Sequence, residues 1–147
     1  MDSLQLKICD VQGRLFELSR KACYDSGPFI SSFMRSRLAK SLDSVYNRMQ
    51  WSGEEYLLEE LESEVPTLPV TGALYEKEIL FWIGYLYRYW HYLTGESSLE
   101  IYRQANERTM KRNYMMFHTL EPEIAVQDLK EIHHQKVSVK TVGGLSG

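Results

Sequence analysis

Residues 79–93 read ILFWIGYLYRYWHYL, and the recurrence of apolar side chains along them decides the fold. Ile79, Ile83, Leu86, Trp90 and Leu93 follow one another at steps of three and four, the spacing of one stripe on an α-helix, while Phe81, Tyr85 and Tyr92 fall on another face. A helix so apolar all round belongs at the centre of a core. The expected element spans residues 73–93, with Ile79, Ile83, Leu86 and Trp90 almost completely buried. Arg88 and His91 interrupt the run, which is too short and too polar to cross a bilayer.

Downstream, Gly95 suits a helix C-terminus, and Ser97 with Glu100 forms a capping box that opens a short helix to about residue 105. Asn106 can cap the next helix, through Met110, Tyr114 and Phe117. Glu121-Pro122 starts a last one, with Ala125, Leu129 and Ile132 inward. The segment KVSVKTVGGLSG then reads as a frayed tail. Upstream, Leu4, Ile8, Val11, Leu15 and Leu18 mark a helix over residues 3–22 that Gly13 weakens slightly. Asp25-Ser26-Gly27-Pro28 breaks the chain and offers a cap ahead of Phe29, Ile30, Phe33, Met34 and Leu38, a pattern that Leu42, Val45, Tyr46 and Met49 continue raggedly. Ser52 and Glu55 form a second capping box, with Trp51 and Tyr56 placed as a hydrophobic staple, for a helix ending near residue 63. Pro66 and Pro69 mark the long linker that follows.

Eighteen leucines against fifteen valines and isoleucines, with the four prolines in turns, agree with helices rather than strands. The expectation is an all-α, single-domain bundle of six or seven helices over residues 3–136, with residues 137–147 a flexible tail. The 147-residue chain is 44% hydrophobic and 25% charged, a globular composition. Its net charge of -3 excludes a generally basic nucleic-acid binder and leaves room only for a local patch. Cys9 and Cys23 cannot reach each other along one helix and read as free thiols. Without a basic segment ahead of an apolar one at the N-terminus, a cytoplasmic location away from the membrane is expected.

Aromatic side chains at helical spacing chiefly pack cores. Yet Tyr75, Tyr85, Tyr87, Tyr89 and Tyr92 each need a hydroxyl partner if buried, so part of this helix can reach a surface. The candidate binding residues are Tyr85, Arg88, Tyr89, His91 and Tyr92, facing a protein partner or a second copy. Arg88 inside an apolar helix demands an anion. Glu54, Glu55 and Asp43 are available, with Glu54 or Glu55 preferred. Arg103, Arg108, Lys111 and Arg112 could contact the phosphates of a nucleic acid, or equally form a solvated helix face. Adjacent His133 and His134 point to different parts of a helix surface and make poor joint metal ligands, and no CxxC, HExxH, Walker, GxGxxG or GxSxG pattern occurs. Neither a metal nor a cofactor is expected.

Arg112, Asn113 and His118 resemble the catalytic signature of HEPN-type RNases, an arginine and a polar residue followed by a histidine, with an interval one longer than the commonest form. That resemblance implies metal-independent RNA cleavage by arginine and histidine from paired protomers. Six positions leave the two side chains about 120° apart on an ideal helix, so convergence needs a helix end or a dimer. His118 can otherwise tie a helix end to the next turn. More widely, DSVYNRMQWSGEEYLLEEL, ILFWIGYLYRYWHYLTGESSLEIY and MKRNYMMFHTLEPEIAVQDLKEI resemble a family of small, uncharacterised bacterial proteins associated with mobile elements and loci of toxin–antitoxin type. This resemblance implies a cytoplasmic regulatory or interaction role and carries no site residues. The leading expectation is a non-enzymatic, antitoxin-like interaction module, and the alternative is the RNase.

Overall fold

The computed structural model describes residues 1–45 and 51–146, with side chains as far as Lys140. Among the described residues there are eight helices and no strand: α1 (Ser3–Lys21), α2 (Ser26–Met34), α3 (Arg37–Leu42), α4 (Glu54–Glu64), α5 (Lys77–Thr94), α6 (Ser98–Gln104), α7 (Glu107–Phe117) and α8 (Pro122–Ser146). The all-α class is as expected. The extra helix arises at Ser36, whose hydroxyl donates to the Phe33 carbonyl at 2.6 Å and accepts from the Ala39 amide at 3.0 Å. A serine that bonds backbone on both sides ends one helix and caps the next, which divides the apolar run at residues 29–42 into α2 and α3. The Glu64 carboxylate steadies α3 from outside by accepting from the Arg37 amide at 2.7 Å.

Helix α5 lies at the centre and packs most extensively on α1. The two helices meet at backbone distance. A Cβ on Gly84 would stand 2.6 Å from the Gln12 carbonyl oxygen, and one on Gly13 2.8 Å from the Phe81 ring. Gly13, expected only to weaken α1, thus permits the crossing. Beside it Phe16 is fully buried and meets Phe29, Phe33 and Tyr87 edge-on at 5.3–6.4 Å between centroids.

Ile83, Leu86 and Trp90 are buried as the spacing requires, but Ile79 is only half-buried and Leu80 takes its place. Helix α5 starts at Lys77 rather than 73, and its inward face is turned toward α1 by the glycine crossing. In α1 the buried set is Ile8, Cys9, Gln12, Leu15, Phe16 and Ser19, while Val11 and Leu18 flank it.

Three end signals held. Ser97 and Glu100 form their capping box, Asn106 accepts from the Thr109 amide, and Gly95 closes α5 with φ 78°. Two did not. Helix α4 is capped by Gly53 without a side-chain bond, and Trp51 and Tyr56 are exposed rather than stapled, because its apolar face of Leu57, Leu58 and Leu61 turns inward. The Asp25 side chain does not cap α2. It accepts from the Thr71 hydroxyl and from the Gly72 and Ala73 amides, strapping the proline-rich linker onto the start of α2. These bonds hold the Asp25 carboxyl below its usual range. Val45 is exposed, and Tyr46 and Met49 lie outside the described residues. Helix α8 buries Ala125, Val126 and Leu129, and then continues as a helix through the segment that composition marks as a tail, with residues 134–140 all exposed.

Candidate functional site

The sequence places Arg88 and His91 on the same helix as its aromatic residues, and the structure sends these groups to two different places. Arg88 is 1% exposed, and its charge is answered inside the protein. Its Nη1 donates to Asp43 Oδ1 at 2.6 Å, Nε to Gln12 Oε1 at 2.7 Å and Nη2 to Ser98 Oγ at 3.1 Å. The Asp43 carboxylate in turn accepts from the Ser98 amide at 2.9 Å and the Ser98 hydroxyl at 2.7 Å, and Gln12 donates to the Gly84 carbonyl at 2.9 Å. One guanidinium therefore joins α1, the end of α3, α5 and the start of α6. The pairing requirement was right but the preferred partners were not. Glu54 and Glu55 sit in the first turn of α4 and line a surface groove with Arg14, Lys21 and Lys77.

His91 belongs to the edge of the same cluster. Its Nδ1–H donates to the Glu96 carbonyl at 2.6 Å, and Asp43 lies 3.7 Å away. Tyr92 packs against the His91 ring, and its buried hydroxyl has no hydrogen-bond partner among the described residues. Burial pushes the Tyr92 hydroxyl up to about 12 and the nearby Cys9 thiol up to about 12. Tyr89 is buried and donates to Glu123, and Tyr87 donates to the Ala105 carbonyl at 2.5 Å. Arg88, Tyr89 and His91 are thus bonded internally, Tyr92 is held only by its ring contact with His91, and the four present no common open surface.

Of the five, Tyr85 opens onto a groove. This depression of about 440 Å³ lies where α5, α7 and the start of α8 meet the flank of α1. Phe81, Trp82 and Tyr85 form one wall, Tyr114 and His118 the other, and Leu120 and Pro122 the end. The aromatic groups brace one another: Phe81 stacks on Tyr85 at 5.9 Å, Trp82 meets Tyr114 edge-on at 5.7 Å, and Tyr114 stacks on His118 at 4.3 Å. His118 is fixed by its Nδ1–H, which donates back to the Tyr114 carbonyl of its own helix at 2.7 Å rather than tying the helix end to the next turn. Glu17 and Glu78 stand among the residues that line the groove. A groove with rigid aromatic walls and a few carboxylates matches the general pattern of a site for apolar anchors. Sequence reading found the Phe81–Tyr85 face of α5 but not its partner. The signal for the second wall, Tyr114 and His118 four apart on α7, gains meaning only once the two helices are juxtaposed.

The residues of the RNase-like signature do not converge on this groove. Asn113 is buried and donates to the Thr109 carbonyl of its own helix at 2.8 Å, while Arg112 is exposed and does not line the groove that His118 lines. Arg103, Arg108, Lys111 and Arg112 are all exposed but do not act as one patch. Lys111 lies over the Tyr75 ring at 4.6 Å, whereas Arg103 faces α8 across a separate cleft. Among the described residues no group of three or more His, Cys, Asp or Glu is placed to hold a metal, and no helix is long and apolar enough to cross a membrane. No family model, curated protein or solved structure matches this chain.

Proposed function

We propose that this chain is a protein-interaction module that seats apolar side chains of a basic, amphipathic partner helix in the aromatic groove. The observation that carries the reading is the groove itself. Phe81, Trp82, Tyr85 and Tyr114 stay accessible at their rims in a protein that buries most of its other aromatic rings. Fixed aromatic walls lose little conformational freedom when a ligand arrives, which makes them effective anchors for a helix laid into a groove. Glu78, with Glu17 beside it in a loose 4.0 Å pair with Lys77, favours a partner with lysine or arginine beside its apolar anchors. The antitoxin-like form of this reading, in which the partner is a co-encoded toxin held through the groove, is the one implied by the resemblance to proteins of toxin–antitoxin loci.

Selection of displayed helical peptides on the intact protein tests the proposal. The expected binders carry a Leu, Phe or Trp anchor flanked by basic residues, and lose affinity at least tenfold against Trp82→Ala or Tyr114→Ala, the loss of one good anchor contact. Binders indifferent to both substitutions would overturn it. Self-association abolished by the same substitutions would assign the groove to a second copy instead. Metal-independent RNA cleavage that disappears in both Arg112→Ala and His118→Ala would replace the binding reading with the enzymatic one.

A further inference from the structure

We infer that the cleft between α8 and the corner of α6 and α7 binds the sugar–phosphate backbone of a single-stranded nucleic acid. The cleft encloses about 730 Å³. Arg103, from the last turn of α6, stands on one wall, and Lys136 and Lys140 stand on the other. No carboxylate is among the lining residues. Nor does the sequence contain any Asp or Glu after Glu131, in a chain whose twenty acidic residues outnumber its seventeen lysines and arginines. Arg103, Lys136 and Lys140 make no ion pair among the described residues, whereas Lys130, about two to three turns earlier on α8, is neutralised by Glu96. Three exposed cations thus face one another across a cleft with nothing anionic between them. Their mutual repulsion is relieved by a polyanion.

Spacing and shape choose the polyanion. Lys136 and Lys140 are one helical turn apart, about 6 Å along α8, near the interval between successive phosphates of one strand. Cations on opposite walls require the ligand's charge to lie between them. A single backbone can lie between facing cations, whereas a duplex carries its phosphates on the outside of a much wider cylinder. Ile132 and Val137 lie among the cations, where an unpaired base has an apolar contact and a paired one does not. This site is separate from the aromatic groove and does not depend on that reading.

The test is fluorescence anisotropy of labelled oligo(dT) and oligo(U), about twenty nucleotides long, with the full chain. Three phosphate contacts predict a log–log salt slope of about -2, since each contact on a single strand contributes about -0.7. Lys136→Glu with Lys140→Glu is expected to weaken binding at least tenfold. Lys7→Glu with Lys40→Glu, an equal change in total charge at exposed sites elsewhere, is expected to cost less than about threefold. All four positions are exposed, and circular dichroism verifies that the variants fold. Trp82→Ala should leave oligonucleotide binding unchanged. The inference is overturned by the absence of binding at low salt, by equal losses in the two double variants or by a slope near zero. It is also overturned if a duplex binds as tightly as the single strand, or if poly-glutamate displaces the oligonucleotide at equal charge concentration, which would make the cleft a site for acidic peptides.

Discussion

The two sides of α5 invert the usual placement of residue types. On the side facing α3 and α6, a guanidinium is buried and every one of its named contacts is polar. On the side facing α7, rings of Phe81, Trp82 and Tyr85 remain at the wall of an open groove. The difference teaches that on α5 the exceptions to burial by polarity are set by the neighbouring elements, in a protein whose core is otherwise apolar. Arg88 is buried because Gln12, Asp43 and Ser98 converge on it from three other helical segments. The aromatic wall remains accessible because α7 and α8 meet it only at Tyr114, His118, Leu120 and Pro122.

The largest expected effects test the closed side. Arg88→Ala should destabilise by about 3 to 5 kcal/mol, because removing one partner leaves the Asp43 carboxylate without its counter-ion. Combining Arg88→Leu with Asp43→Leu should recover much of that loss, and chemical denaturation of the two variants beside the parent checks both statements. Trp90→Ala, beside it and fully buried, should cost a similar 3 to 5 kcal/mol, about the usual value for a deleted core aromatic. A Trp90 variant melting within a degree or two of the parent would break the assignment of α5 as the core.

Next in size is the α1–α5 crossing. Gly84→Ala places a methyl group against the Gln12 carbonyl oxygen, a backbone atom that cannot move aside without shifting α1. The expected loss is about 1 to 3 kcal/mol, despite the higher helix propensity of alanine. A gain in melting temperature would show that the helices are not in backbone contact there. Smaller again is Tyr87→Phe, which leaves the Ala105 carbonyl without its donor and should cost about 1 kcal/mol by thermal melting.

The smallest effect concerns acid. The Asp25 pKa is held down by its bonds from the Thr71 hydroxyl and the linker amides. A depressed carboxyl contributes stability that is complete above its unfolded pKa, about 3.9, and is lost as pH falls through the lower folded value. Asp25→Asn should therefore flatten the acid limb of the stability profile while leaving its neutral-to-basic shape unchanged, as a series of melts across pH will read out.

Most local signals that a single segment suffices to produce were legible in the sequence. The Ser97–Glu100 box, the Asn106 cap and the Gly95 terminus each depend on a few consecutive residues, and each is formed. Ser52 and Glu55 carry the same letters as a working box, yet Gly53 caps α4, so local pattern alone did not decide there. The demand of Arg88 for an anion was likewise legible, because it follows from desolvation. Its identity was not, because Asp43 lies forty-five positions away and is selected by how α3 ends. The groove was half legible for the same reason: Phe81 and Tyr85 share a face of α5, but only packing brings Tyr114 to them.

The central claim is that the open aromatic side of α5 recognises a partner while the closed Arg88 side holds the fold, and the indole N–H signals of the labelled protein test it most directly. Trp82 lines the groove, whereas Trp90 is buried with its indole donating to Glu96 at 3.3 Å. Titration with the tightest peptide from the display selection should move the Trp82 indole signal progressively and leave that of Trp90 in place. Movement at Trp90 with Trp82 unchanged would contradict the account.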